Sequence, residues 1–341
     1  MMPFDVVNRA AERIAEHVAR HGVDAPVVVL HGGEPLLAGA DGIARVAGVL
    51  RDRVPTVRLQ VQTNGTLLDE QLVRTLAAHR IKVGVSLDGG AADNDRHRVF
   101  ANGRGSYQDV SRGIMLLKDV HPELFGGLLS TVDLETDPIA CYEELVKFEP
   151  PMVDLLLPHG NWSSPPPGLT PDAPYGRWLA TVFNHWYGSQ PATEIRFFRE
   201  IITLILGGQS RIESIGLSPV TLLVVDTNGD LEQVDTLRST YNGAAGTGMN
   251  VFRNSFDDAL EHPGVMFRQA GTAALADECL ACPVHKVCGA GYYPHRYKEG
   301  AGFRQPSVYC RDLRFLIDHI ADRLRADLTE LLSRRRPAVP S

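Results

Sequence analysis

The chain has 341 residues, of which 44% are hydrophobic and 22% charged, and its formal net charge is −7. This composition excludes a disordered chain, and the lack of any apolar run near ~18 residues excludes a membrane span. The 41 acidic residues outnumber the 34 basic ones, which argues against a nucleic-acid binder, because such proteins need a basic surface. No secretory signal is visible at the start, so we expect a cytoplasmic protein of about two domains.

Helical and strand patterns alternate over the first half, which predicts an α/β fold with a parallel sheet. The chain opens with a helical pattern at 5–21, and strands are predicted at 26–30, 57–63, 82–87, 127–132 and 152–157. In a parallel sheet each helix crosses over from one strand to the next. An opening helix with no strand before it therefore predicts a missing first βα unit, although a helix added to a complete five-stranded sheet remains an alternative.

Three glycine-bearing turns follow predicted strands, at 31–35, 63–65 and 88–90. In a parallel α/β barrel the carboxyl ends of the strands carry the active site, so these turns predict a small-molecule pocket. No nucleotide-binding glycine signature is present.

The second half of the chain has a different pattern of elements. A proline-rich loop near 162–174 precedes helices predicted at 175–187 and 194–206. A hairpin with strands at 221–225 and 231–234 and a helix from 310 to about 334 follow. We therefore predict two domains, at 1–209 and 210–341.

Four of the five cysteines lie close together, in the pattern Cys279-x2-Cys282-x5-Cys288 followed by Cys310. Thiols in a reducing compartment are metal or cluster ligands more often than disulfides. Four thiolates suit either zinc or an iron-sulfur cluster, and the lack of histidine at a familiar zinc spacing favours the cluster. The fifth, Cys141, is expected to be a buried apolar side chain.

Several motifs together resemble the radical SAM enzymes that carry a SPASM extension, most of all the cyclophane-forming maturases of ribosomally made (RiPP) peptides. They are His31-Gly32-Gly33-Glu34-Pro35-Leu36, Gln62-Thr63-Asn64-Gly65, Val83 to Gly89, Asp95-x2-Arg98, Gly103-x-Gly105-Ser106-Tyr107 and the four cysteines. The resemblance implies a partial (β/α)6 barrel, a SPASM domain with one auxiliary [4Fe-4S] cluster, and S-adenosylmethionine as cofactor. It also implies a precursor peptide as substrate and a reductant such as ferredoxin or flavodoxin.

The resemblance assigns roles to individual residues. Gly32, Gly33 and Glu34 match the turn that meets the amino group of S-adenosylmethionine, while Ser86, Asp88 and Arg98 match residues of the same pocket. Simpler alternatives are a capping carboxylate for Glu34, an ordinary turn for Asp88 and a surface salt bridge for Arg98. For proton removal Asp235 is the candidate general base, and Glu232, expected on the same strand face, is its substitute. The alternative for Asp235 is that it only caps the turn that leads into Thr236 and Leu237.

Two departures from the family pattern matter. The Cys-x3-Cys-x2-Cys motif that holds the cluster for S-adenosylmethionine cleavage is absent, since no cysteine precedes Cys141, and it would lie in the unit that the strand pattern already lacks. Val234 and Tyr292 stand where cysteines of a second auxiliary cluster occur, so one auxiliary cluster is expected.

Three interpretations of the missing motif remain open. In the first, the start Met lies inside a longer gene, and the chain alone cannot cleave S-adenosylmethionine. In the second, the chain is a non-catalytic protein that binds a precursor peptide or a partner and holds one structural iron-sulfur or zinc site. In the third, it is a zinc-stapled α/β protein of unrelated activity.

Overall fold

A computed structural model describes residues 2–189, 192–220 and 222–334 of the chain. Its main sheet has six strands, all parallel and arranged in chain order. They are Val27–Leu30 (β1), Arg58–Thr63 (β2), Lys82–Ser86 (β3), Phe125–Thr131 (β4), Met152–Leu156 (β5) and Glu194–Ile195 (β6). An antiparallel sheet comprises Val224–Val225 (β7), Asp230–Glu232 (β8) and Gly246–Asn250 (β9).

The helices connect and cover the strands. They are Phe4–His21 (α1), Gly39–Arg53 (α2), Glu70–Ala78 (α3), Ala91–His97 (α4), Tyr107–Val120 (α5), Pro138–Val146 (α6), Pro174–Ser189 (α7), Arg196–Ile205 (α8), Phe256–Leu260 (α9), Pro263–Gln269 (α10), Asp277–Leu280 (α11), His285–Cys288 (α12) and Cys310–Arg334 (α13). Among these described helices, none is long and apolar enough to cross a membrane.

The two faces of the main sheet differ in chemistry because side chains alternate along each strand. On β2 and β3 the buried set is Leu59, Val61, Thr63, Val83 and Val85. The opposite face of these strands carries polar or small residues, namely Gln60, Gln62, Gly84 and Ser86. This second face is less buried than the first, and it carries the side chains from which a pocket can be built.

The five predicted strands are confirmed within two residues at each end. The prediction of a helix from Glu194 is wrong at its start, because Glu194 and Ile195 pair with Met152 and Val153 of β5 before α8 begins. A two-residue strand has no local signature, since only its partner strand defines it. β6 lies at the opposite edge from β1, so the missing first unit stays a prediction.

Two further predicted elements need correction. The predicted hairpin begins at Thr221, which lies outside the described residues, and its second strand also pairs with β9, which the sequence did not reveal. Helix α13 has the predicted bounds, but its apolar side is buried only as far as Ile320, whereas Leu328 and Leu331 are exposed.

The chain divides into two compact units. Unit 1 comprises Met1–Pro158, Ala192–Arg196 and Val220–Arg268, and unit 2 comprises His159–Pro191, Phe197–Pro219 and Gln269–Ser341. These units alternate along the sequence. The predicted division into 1–209 and 210–341 places its single boundary differently and stays a prediction.

Gly127 tests the packing of β4 against β5. Its φ is 134°, and a Cβ added there would overlap the carbonyl oxygen of Met152. We expect Gly127→Ala to lower the free energy of unfolding by at least about 1 kcal/mol, because alanine fits neither the backbone conformation nor the space. The matched control, Gly48→Ala in α2, meets no atom within 4 Å and should raise that free energy by up to about 1 kcal/mol. Urea denaturation of both variants measures the difference, and a Gly127→Ala protein as stable as wild type would contradict the prediction.

Candidate cofactor site and four-cysteine site

The Glu34 carboxylate joins the ends of β1 and β2. Its Oε1 accepts hydrogen bonds from the Leu36 amide at 2.9 Å and the Thr63 hydroxyl at 2.7 Å, and its Oε2 accepts one from the Asn64 amide at 2.8 Å. A carboxylate offers about four acceptor positions. Glu34 therefore does act as a capping residue. In the described contacts Oε2 accepts one hydrogen bond, so it can accept another from a bound molecule.

Ser86 lies at the end of β3, on the less buried face of the sheet. Its Oγ accepts a hydrogen bond from Gln62 Nε2 of β2 at 3.1 Å. Gly84 makes room for this contact, because a Cβ at that position would overlap the Gln62 side-chain oxygen. The pair places one hydroxyl and one amide side by side above β2 and β3.

Asp88 and Arg98, both predicted for the pocket, bind each other. Arg98 Nε donates to Asp88 Oδ2 at 2.5 Å and Arg98 Nη2 donates to Oδ1 at 3.3 Å. The Thr131 amide at the end of β4 donates to the same Oδ1 at 2.8 Å. Asp88 thus connects the ends of β3 and β4, and Arg98 forms a partly buried two-point ion pair rather than an isolated surface salt bridge.

Asp235, the candidate base, lies beside the glycine turn that follows β1. Its Oδ2 is 3.5 Å from Nε2 of His31, the residue directly before Gly32 and Gly33. The hydrogen bond to Asp235 is the main cause that raises the pKa of His31 above its ordinary value. The fold therefore brings the candidate base to the same strand end as the predicted cofactor turn.

Glu232, the alternative base, has different surroundings. It is the last residue of β8, whereas Asp235 opens a 3₁₀ turn, so the two do not share a strand face as expected. Its Oε2 accepts a hydrogen bond from Arg238 Nη2 at 2.6 Å, and the same guanidinium contacts Asp226 at 3.0 Å. This ion pair occupies the Glu232 carboxylate, so the contact with His31 favours Asp235 as the acid nearest the turn.

The four clustered cysteines all belong to unit 2. Cys279 lies in α11, Cys282 follows it, Cys288 ends α12 and Cys310 begins α13. Burial is the main cause that raises the pKa of Cys279, Cys288 and Cys310, to about 12 for Cys288, and neighbouring thiols add to each shift. The four thiols are thus electrostatic neighbours, as ligands of one centre must be.

Two arginines lie beside these thiols. Arg314 Nη1 donates to Cys282 Sγ at 3.7 Å. The buried Arg296 interacts electrostatically with Cys288 and Cys279, and its Nη2 donates to the carbonyls of Gly289 and Gly291, each at 2.6 Å. These cations and the soft donor set fit an anionic thiolate centre.

The sequence of unit 1 matches a known family. A model of the Radical SAM superfamily matches residues 2–146. Residues 2–146 therefore form a radical SAM domain. Relatives of this radical SAM protein include the serine-type anaerobic sulfatase-maturating enzyme of Klebsiella aerogenes, 25% identical over 80% of this chain and 67% of the relative. The cysteine-type enzyme of Clostridium novyi is 23% identical over 83% of this chain and 77% of the relative. The protein is thus a radical SAM oxidoreductase or maturase.

Solved structures confirm the fold of this radical SAM protein. The structure of native anSMEcpe with bound AdoMet superimposes with a TM-score of 0.80 at 20% identity, covering 96% of this chain and 89% of that one. Streptococcus suis SuiB bound to its precursor peptide SuiA superimposes with a TM-score of 0.57 at 15% identity, covering 89% of this chain and 69% of that one.

Several residues of these two sites were not assigned by sequence reasoning. His31 and Gln62 lie inside the quoted motifs but were given no role. The position of His31 next to Gly32 and Gly33 could have identified it, and the alternation of side chains along β2 could have placed Gln62 on the polar face. Arg296 and Arg314 carry no local signal, because what marks them is their contact with the cysteine loops.

The Glu34 contacts can be tested by substitution. Glu34→Gln replaces one carboxylate oxygen by an NH2 group, which cannot accept a hydrogen bond. We expect the amide protons of Leu36 and Asn64 to exchange faster with solvent, as measured by hydrogen-deuterium exchange. Glu70→Gln, which removes an exposed carboxylate in the first turn of α3, is the matched control and should leave both amides unchanged. Unchanged exchange in Glu34→Gln would show that its carboxylate does not hold the two turns.

The contact between His31 and Asp235 predicts a pH dependence. Because the folded pKa of His31 is raised, the contact stabilises the protein at low pH and loses its effect as pH rises through that pKa. The imidazole resonance of His31 should titrate above about 6.5 and return toward that value in Asp235→Asn. Glu232→Gln, which removes the other candidate carboxylate, should leave the titration unchanged. If Glu232→Gln lowered the pKa of His31 and Asp235→Asn left it unchanged, the contact between His31 and Asp235 would be wrong.

Proposed function

We propose that this protein is a radical SAM maturase that oxidatively cross-links a ribosomally made precursor peptide. The observation that carries the proposal is the position of Asp235 beside His31, next to the glycine turn to which the family resemblance assigns S-adenosylmethionine. Peptide modification is supported by the relatives, among them sulfatase-maturating enzymes and SuiB, solved with its precursor peptide.

The residues of unit 1 fit the assigned cofactor. An acceptor position of the Glu34 carboxylate and the exposed Gly32 and Gly33 can receive the ammonium of S-adenosylmethionine. Ser86 offers a hydroxyl group. The ion pair of Asp88 and Arg98 offers two charged side chains, held in place by each other, near the same end of the sheet. When bound beside a reduced iron-sulfur cluster, S-adenosylmethionine supplies the radical chemistry, and these side chains hold and orient it.

Asp235 removes the proton in this proposal. A substrate that loses a hydrogen atom, and then an electron and a proton, needs a base near the radical position. The Asp235 side chain is 44% exposed, so a bound peptide can reach its carboxylate. The contact with His31 holds Asp235 beside the turn. Cys279, Cys282, Cys288 and Cys310 would hold the auxiliary [4Fe-4S] cluster that accepts the electron, and ferredoxin or flavodoxin would be the external reductant.

A further βα unit beside β1 completes the site in this proposal. β1 is an edge strand, and its Val27 and Val29 side chains are 45% and 43% exposed. Parallel sheets are normally covered on both faces, and exposed apolar edge strands favour unwanted pairing. Such a unit, carrying the Cys-x3-Cys-x2-Cys motif, would pair with this edge.

The cysteine site can be tested directly. After anaerobic reconstitution we expect the protein to hold iron and acid-labile sulfide in equal amounts, because four soft thiolates bind one [4Fe-4S] cluster. Cys288→Ser should lose most of this content. Cys141→Ser, at a buried cysteine of unit 1, is the matched control and should keep it. One zinc ion per chain with no sulfide would refute the cluster assignment.

The reaction can be tested with the chain as given and with the chain extended by its upstream in-frame sequence. Under reducing conditions, we expect 5′-deoxyadenosine from the extended chain only. With the precursor peptide encoded nearby, mass spectrometry should show a loss of hydrogen masses and a cross-link. Asp235→Asn should lower product formation while 5′-deoxyadenosine persists, because radical generation does not need the base.

Controls separate the rival functions. Glu232→Gln is the matched acid-to-amide variant and should retain product formation. Full product formation by Asp235→Asn would refute the base assignment. Peptide binding by an extended chain that forms no 5′-deoxyadenosine would favour the non-catalytic binding protein. Oxidation of a single side chain without a cross-link would refute the proposed cross-linking reaction.

A further inference from the structure

Three potential metal ligands of unit 1 meet at a position separate from the residues of the proposed reaction. His17 and His21 are one turn apart on α1 and therefore share a face. His17 Nδ1 lies 2.9 Å and His21 Nε2 lies 2.8 Å from Oδ1 of Asp257, in the first turn of α9. Among the described residues, this is the group of three whose ligand atoms all lie within 4.8 Å of one another.

The chemistry of the group is that of a transition-metal site. Two imidazole nitrogens and one carboxylate oxygen form a donor set that zinc accepts, with bonds of about 2.0–2.2 Å. Ligand atoms on a tetrahedral ion then lie roughly 3.3 Å apart, so only a small outward shift from the observed contacts is required. The three donors would leave a fourth position to water.

The surroundings allow an ion to bind without disrupting other contacts. Arg20 Nη1 contacts Asp257 Oδ2 at 2.9 Å, which orients the carboxylate and leaves Oδ1 directed at the two imidazoles. Outer contacts of this kind commonly fix metal-ligating carboxylates. The His17, His21 and Asp257 side chains are 28%, 44% and 21% exposed, so an ion can enter from solvent.

We propose that His17, His21 and Asp257 bind one zinc ion, which fastens α1 to α9. This site is independent of the proposed maturase reaction and of the cysteine site. In the protein without zinc, the ring nitrogens donate hydrogen bonds to Asp257. With zinc, each imidazole binds the ion through that nitrogen and keeps one proton on its other ring nitrogen, so only the second proton of a charged imidazole is released.

The proposal can be tested by zinc K-edge X-ray absorption on the full chain. The cysteine cluster is first reconstituted anaerobically, and the protein is then loaded with zinc and desalted. Nitrogen and oxygen ligands at about 2.0 Å are distinguished from sulfur at about 2.3 Å, so zinc on the cysteines would be recognised. We expect one zinc ion per chain with a nitrogen and oxygen shell. His21→Gln should weaken its binding at least about 100-fold, more than the loss of an outer contact costs.

Two variants complete the test. His97→Gln is the matched control, because His97 contacts Asp133 at 3.1 Å beside Arg96 in a similar group that has only one imidazole. This variant should retain the zinc ion. Asp257→Asn keeps the size of the side chain and should lose the ion.

A stability measurement gives a second readout. Zinc should raise the melting temperature of wild type and His97→Gln but not of His21→Gln, because an ion that binds only the native state stabilises it. Zinc with sulfur ligands only, or a nitrogen and oxygen shell that persists in both His21→Gln and Asp257→Asn, would overturn the proposal.

Discussion

The carboxylate of Glu34 is the contact on which the first strand ends depend. The Leu36 amide, the Thr63 hydroxyl and the Asn64 amide all donate hydrogen bonds to its two oxygens. Because hydrogen bonds to an ionised acceptor are stronger than neutral ones, the turn after β1 is held in register with the turn after β2. A binding surface for a small charged molecule needs such fixed backbone.

A second carboxylate repeats this arrangement one strand further on. Asp88 receives the Thr131 amide and both nitrogens of the Arg98 fork, so the ends of β3 and β4 are joined as those of β1 and β2 are. At both joints an acidic side chain from one strand end binds donors of the next. The acidic residues of this edge therefore have a structural role as well as the cofactor role that the resemblance assigns to them.

Sequence reasoning reached the parts of the fold whose signals are local. The apolar runs of β1 to β5 and the glycine turns marked their own positions, as did the four cysteines. It missed β6, a two-residue strand that only its partner β5 defines. It also missed β9, whose sequence Gly246–Asn250 has no apolar alternation, and the contact of His31 with Asp235. It also expected Glu232 and Asp235 to share a strand face, since no local signal showed that β8 ends at Glu232 before the 3₁₀ turn.

The interleaving of the two units has a consequence for the order of events during synthesis. Unit 1 includes Val220–Arg268, and α1 contacts Asp257 across a separation of 240 residues. Contacts so distant in sequence cannot form while only the sheet strands have left the ribosome, and they slow folding. Helix α1 is therefore made long before its partner Asp257, and the apolar side of α1, with Val6 and Val7, needs protection from aggregation until then.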